Sequence, residues 1–131
     1  MRYLTRQELI ELNKQAVEIV DGKYFGVQSE SALDIIIEQP QQVIFGKELY
    51  PTIWLKAGFI LQKITKKHVF TDGNKRTAIL ASLYFLNLNG KTIDEKIINR
   101  DGEELMLAVT NSPDEEKIMI KIAKWLEKIC N

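Results

Sequence analysis

The stretch His68-Val69-Phe70-Thr71-Asp72-Gly73-Asn74-Lys75-Arg76-Thr77-Ala78 runs without interruption into Ile79-Leu80-Ala81-Ser82-Leu83-Tyr84-Phe85-Leu86. The second part is apolar nearly all round, and a helix of that kind belongs in the centre of a bundle. It predicts a helix from Asn74 to Asn89, with Gly90 as the stop. The first part is a polar turn that feeds this helix. It holds the only histidine of the chain, one carboxylate, one glycine, an amide and two adjacent cations.

Upstream of the turn, Pro51 suits the first turn of a helix. Ile53, Ala57, Ile60, Leu61 and Ile64 then recur on one face. That helix should end near Lys66-Lys67, where cations complement the dipole. Between Gln42 and Tyr50, the β-prone runs Val43-Ile44-Phe45 and Glu48-Leu49-Tyr50 flank Gly46-Lys47, a hairpin signal. An isolated hairpin is marginal in water, so it would be mobile unless something packs on it. A helix from Ser31 to Glu38 must stop before Pro40. At the start, Thr5 and Glu8 form a capping box. Leu9, Leu12, Ala16, Ile19 and Val20 follow at helical spacing, and Asp21-Gly22 closes that helix.

Downstream, Asp101 is read as the cap of a fifth helix through about Val109. Pro113 opens a sixth, with Ile118, Met119, Ile122, Trp125, Leu126 and Ile129 as its inward stripe. Trp54 and Trp125 are read as core. The expected fold is an all-α bundle of about six helices with one small β-hairpin, residues 1–131 forming a single domain.

Composition narrows the function. Apolar residues make up 45% of the 131 residues and charged residues 27%, as in ordinary globular proteins. Lys plus Arg number 18 and Asp plus Glu 18, so the net charge is zero. A global electrostatic hold on nucleic acid or on an anionic membrane is not supported, and any anion site must come from local clustering. The single cysteine, Cys130, cannot form an internal disulfide, which is compatible with a reducing compartment. A thiol nucleophile also wants an adjacent base, and the only histidine lies far away in the central turn. Arg2 is followed by Tyr3-Leu4 and then polar residues, so no secretory leader is read. No apolar run approaches the ~20 residues that span a bilayer. The cytoplasm is the expected location.

The turn collects the parts of a phosphate site. Gly73 precedes a helix start and can adopt positive φ, which lets successive N–H groups point at one spot. The first amides of a helix lack internal partners and carry the positive end of its dipole. Together they make a nest for phosphate. Lys75 and Arg76 add full charges there, and Asn74 can donate from its side-chain amide. Asp72 is a hard oxygen ligand, suited to Mg²⁺ that also binds substrate phosphates. His68 can take a hydroxyl proton near neutral pH. Each residue alone has a plainer reading: a solvated histidine, a helix cap, a turn glycine, a solvated cationic face. Phe70 is read as core, and Thr77 and Ala78 as packing positions. Their co-occurrence in one short turn favours the chemical reading.

The same residues carry a family resemblance. The segment resembles the signature of Fic proteins, His-Pro-Phe-x-Asp/Glu-Gly-Asn-Gly-Arg-x-x-Arg, and most closely their death-on-curing (Doc) toxin branch. His68, Phe70, Asp72, Gly73, Asn74 and Arg76 match in order and without a gap. Tyr3-Leu4-Thr5 before a helix, Gly26-Val27 ahead of a helix ending at Pro40, and the chain length are similar to Doc toxins too. Three positions depart from the pattern: Val69 replaces proline, Lys75 replaces the second glycine, and Ile79 replaces the last arginine.

The resemblance implies a catalytic set of His68, Asp72, Lys75 and Arg76. It implies nucleotide binding along Gly73, Asn74, Lys75, Arg76 and Thr77, with ATP and Mg²⁺ as cofactors and Asp72 on the metal. In Doc toxins the lysine exchange accompanies an inverted nucleotide with its γ-phosphate toward the histidine. The implied activity is therefore phosphorylation of a threonine of elongation factor Tu, which blocks translation in a type II toxin–antitoxin system. The hairpin, with Ile44, Phe45, Gly46 and Lys47, is a candidate flap that aligns the target peptide by strand addition; the plainer reading is a connector. Rival readings are adenylyl transfer to a protein hydroxyl, and an inactive Fic-like binding module using Lys63, Lys66, Lys67, Lys75 and Arg76 on nucleic acid. Many Fic enzymes carry a Ser/Thr-x-x-x-Glu-Gly/Asn inhibitory helix. The nearest stretch here, Ser112 to Glu116, is followed by Lys117 and fails the last position. A separate antitoxin is implied, whose disordered C-terminal segment folds on binding in an apolar groove near the active loop.

Overall fold

The computed structural model describes residues 1–130 as six α-helices with one small hairpin. The helices are α1 (Arg6–Glu18), α2 (Glu30–Glu38), α3 (Ile53–Lys66), α4 (Asn74–Leu88), α5 (Glu95–Asn111) and α6 (Glu116–Ile129). The hairpin pairs β1 (Val43–Ile44) with β2 (Lys47–Glu48), antiparallel, in the register Val43 with Glu48 and Ile44 with Lys47. This is the all-α architecture that the hydrophobic periodicity predicts. None of the described helices is long and apolar enough to cross a membrane.

The capping box of α1 forms as expected: the Thr5 hydroxyl accepts from the Glu8 N–H, and the Glu8 carboxylate accepts from the Thr5 N–H. Leu9, Leu12, Ala16 and Val17 turn inward. Ile19 and Val20 do not. The helix ends at Glu18, where the Gly22 N–H bonds back to the Val17 carbonyl and Asp21 takes φ 56°, so both side chains are left in water.

The apolar centre belongs to α3 rather than α4. Residues from Lys56 to Thr65 are buried apart from Lys63, and α3 touches α2, α4, α5 and α6. Gly58 lets α6 come close, because a Cβ there would meet the Met119 carbonyl oxygen at 3.0 Å. The α4 helix buries Thr77, Ala78, Ala81, Ser82, Phe85 and Leu86, while Ile79, Leu80, Leu83 and Tyr84 stay half-buried. Its all-round apolar character therefore serves two purposes, a packed face and an open one.

Several boundaries differ from the sequence expectation. Thr52, not Pro51, caps α3, and Pro51 stands outside the helix. The α5 helix begins after Asp94, whose carboxylate accepts from the Lys96 N–H, and Asp101 lies within it, paired to Arg100. The mostly polar stretch from Thr92 to Arg100 hides that first half, and Gly102 looks like a break although it is buried inside the helix. Pro113 belongs to the turn before α6, which starts at Glu116. Trp54 and Trp125 pack on the edge of the core instead of inside it.

The hairpin turn is Phe45-Gly46, both with positive φ, 50° and 76°, the combination a two-residue primed turn demands. Lys47 therefore lies in β2, and Phe45 is fully exposed at the tip. The base is not loose. The fully buried Lys56 ammonium donates to the Pro40 carbonyl at 2.6 Å and meets the Glu48 carboxylate at 3.1 Å. The Tyr50 ring packs on Phe59 with centroids 4.8 Å apart.

Candidate active site

The loop from α3 to α4 is held by its apolar residues and its backbone. Val69 and Phe70 are buried, so hydrophobic burial anchors its middle and leaves His68, Thr71 and Asp72 facing water. The segment 26–29 straps one side. The Val69 carbonyl accepts from the Gln28 N–H at 2.9 Å and the Ser29 N–H at 3.1 Å, Val27 bridges Phe70, and the Thr71 N–H donates to the Gly26 carbonyl at 3.0 Å.

Asn13 ties the other side. It is fully buried on α1, and its amide donates to the Asp72 carbonyl at 2.8 Å and the Thr77 hydroxyl at 3.1 Å. Its oxygen accepts from the Gly26 N–H at 2.9 Å. One side chain thus joins α1, the strap, the active loop and α4. Sequence reading missed it. A polar residue one step after Leu12, inside an apolar periodic run, was the available signal.

His68 follows the end of α3 with φ 50°, a left-handed backbone that non-glycine residues adopt at a cost. Its ring is exposed and has no hydrogen-bond partner among the described residues. Asp72 is exposed too. One carboxylate oxygen accepts from the Gly73 N–H at 2.7 Å, and the other has no protein partner among the described residues.

Gly73 stands at φ 71° and caps α4 without a side chain. A Cβ would also meet Val17 Cγ2 at 3.0 Å. Gly73→Ala therefore combines a left-handed alanine, about 1–2 kcal/mol, with a tight contact on α1. We expect a loss of about 1–3 kcal/mol in denaturant unfolding, and a weaker hold on phosphate in the folded fraction because the nest moves. An unchanged midpoint would mean that the loop relaxes without needing glycine.

Two expected phosphate ligands are committed elsewhere. The Asn74 oxygen accepts from the Phe70 N–H, and its amide donates to the Phe70 carbonyl, both at 2.9 Å. Its side chain therefore closes the loop, and its backbone N–H remains at the helix mouth. Thr77 is fully buried, its hydroxyl on Asn13 and its N–H on the Gly73 carbonyl. It is a packing residue, which removes it from the phosphate contacts. Lys75 and Arg76 are exposed, with no ion-pair partner among the described residues.

The two cations stand on the wall of a groove of about 600 Å³ between α4, α5 and the end of α1. Ile19, Ile79, Leu80, Glu103, Met106 and Leu107 complete its lining. Ile79, at the position of the last motif arginine, is thus part of an apolar wall.

The site fits a nucleotide phosphate with one magnesium ion. The first turn of α4 has no side-chain cap, so its amides are open to an anion. No three His, Cys, Asp or Glu side chains cluster among the described residues. Asp72 alone suits Mg²⁺, which keeps waters and phosphate oxygens as its other ligands.

The model of the Fic/DOC family matches residues 3–86. The chain is 33% identical over 122 residues to the toxin Doc of Mycolicibacterium smegmatis, covering 92% of this chain and 91% of that protein. It is 29% identical over 90 residues to the protein kinase doc of Escherichia phage P1, covering 69% of this chain and 70% of that protein. The chain belongs to the Fic/DOC family. Within it, both of these relatives are Doc proteins.

Proposed function

We propose that this protein is a Doc-type toxin that transfers a phosphoryl group from ATP to a protein hydroxyl. By resemblance the acceptor is a threonine of elongation factor Tu. The observation that carries the reading is Lys75: where the Fic pattern has glycine, an exposed cation stands on the first turn of α4, one turn of chain after Asp72. A glycine would leave room for the α- and β-phosphates against the backbone, and a lysine fills that room. The names of the two relatives, a toxin and a protein kinase, support the same choice.

Bound ATP with Mg²⁺ would supply the phosphoryl group and part of the neutralising charge. His68 accepts the proton of the incoming hydroxyl, and its exposed ring leaves room for a macromolecular substrate. Asp72 offers its free carboxylate oxygen to the metal. Lys75, Arg76 and the open amides of α4 hold the anionic oxygens and stabilise the charge of the transition state. Phosphoryl transfer depends mainly on such positioning and electrostatics. The exposed hairpin, with Ile44, Phe45, Gly46 and Lys47, is the flap that aligns the target strand. The antitoxin's C-terminal segment lies in the groove between α4 and α5, where Ile19 and Leu107 leave apolar surface in water.

Incubating the protein with elongation factor Tu, Mg²⁺ and ATP labelled separately at the α- and γ-phosphates tests the reading. The γ-label is expected on a threonine of the target. Transfer of the α-label would make the protein an adenylyltransferase, and no transfer of either label would leave the binding-module reading.

A further inference from the structure

Two aromatic rings stand in water just ahead of the segment that straps the active loop. Tyr24 is 72% exposed and Phe25 46% exposed. Rings of this size normally serve as core or interface, because each can bury 150–250 Å². These two lie between α1 and α2, directly before residues 26–29, which strap the active loop. The next residue, Gly26, is fixed at both ends, its N–H on Asn13 and its carbonyl on the Thr71 N–H. Successive Cα atoms are about 3.8 Å apart, so Phe25 is held within a residue of the loop that presents Asp72. Lys14 Nζ sits 5.7 Å from the centroid of the Phe25 ring, a cation–π contact on that ring.

A nucleotide joins a polyanion to a flat aromatic base. Here the loop has open amides and cations where α4 begins, and exposed rings next to the strap that bonds to its residues 69–71. We propose that Tyr24 and Phe25 form the stacking platform for the nucleobase, so that the residues ahead of the strap read the base while α4 holds the phosphates. The proposal rests on the phosphate reading given above. Stacking on aromatic side chains uses the π-face that every base has, so it adds affinity without needing hydrogen bonds to the base edge.

Calorimetric titration with ATP and with inorganic tripolyphosphate, both in Mg²⁺, separates the two parts. The exposed rings can be removed in the Tyr24→Ala/Phe25→Ala double variant with little effect on the melting temperature. Its affinity for ATP is expected to fall roughly five- to hundredfold, while tripolyphosphate binds as it does to the wild type. Lys75→Ala is expected to weaken both ligands. Equal affinity of the double variant and the wild type for ATP overturns the platform, also where phosphorylation of the target protein falls, since the rings would then face the protein substrate. An equal loss for ATP and tripolyphosphate overturns it as well, as the mark of a displaced loop. If the wild type binds neither ligand, the phosphate reading itself fails and takes the platform with it. If it binds both equally well, only the platform fails.

Discussion

His68→Ala is expected to slow phosphoryl transfer to the target by about 10²–10⁴-fold, the usual loss when a positioned general base is removed. The fold should not change. The His68 ring is exposed and has no hydrogen-bond partner among the described residues, so its removal leaves no buried orphan. The hold on the loop comes from buried Val69 and Phe70 and from backbone bonds to residues 26–29. The left-handed backbone at φ 50° is adopted somewhat more readily by histidine than by alanine, a small cost beside the buried anchors of the loop. Stability therefore stays within about 0.5 kcal/mol, as for most surface substitutions. Initial rates of target phosphorylation, read beside a thermal melt, separate the two effects. A slow variant with an unchanged melt makes His68 chemical. A variant as fast as wild type removes it from the mechanism, whatever happens to growth arrest.

The contrast between His68 and its neighbours shows what a sequence makes legible. Residue type and spacing place the histidine, the carboxylate, the glycine and the cations in one turn, and that part needs only local order along the chain. Phe70 as an anchor was legible for the same reason, an aromatic between polar neighbours. The role of Asn74 was not, and Thr77 carried two readings, packing and phosphate, of which the fold keeps packing. Their side chains have the chemistry for phosphate, and only the folded chain brings Phe70 and Asn13 close enough to engage them first. The sixth helix is legible from its strong inward stripe, except at its start and at Trp125, which the fold puts on the edge of the core. The fifth was shortened because its first turns, Glu95 to Arg100, carry charge on most exposed positions, and because Gly102 resembles a stop while lying buried. Lys56 was legible only as part of α3; its full burial follows from a carbonyl and a carboxylate that the 39–48 segment folds over it.

Asn13→Ala is expected to give the largest loss of stability among substitutions near the site. The side chain uses both amide hydrogens and its oxygen, on the Asp72 carbonyl, the Thr77 hydroxyl and the Gly26 N–H. Truncation removes three partners at once. A buried polar group left unpaired costs about 1–3 kcal/mol. The contacts to Asp72 and Gly26 are only partly buried, and water can reach them, so the sum stays below three full penalties. A loss of about 2–4 kcal/mol follows, or a fall in melting temperature of roughly 6–15 °C for a domain of this length. The loss is not the whole prediction. Asn13 sets the distance between the strap and the α4 mouth, so its removal should also weaken tripolyphosphate binding in the protein that remains folded. Leu126→Ala is the control. It truncates a fully buried side chain on α6, which packs on α3 and α5, and costs a similar 2–5 kcal/mol. Its effect on tripolyphosphate should be small at temperatures where both variants are folded. Equal affinities in the two variants would reduce Asn13 to an ordinary core residue. Weaker binding only in Asn13→Ala means that a buried amide on α1, outside the signature turn, holds the phosphate site in shape.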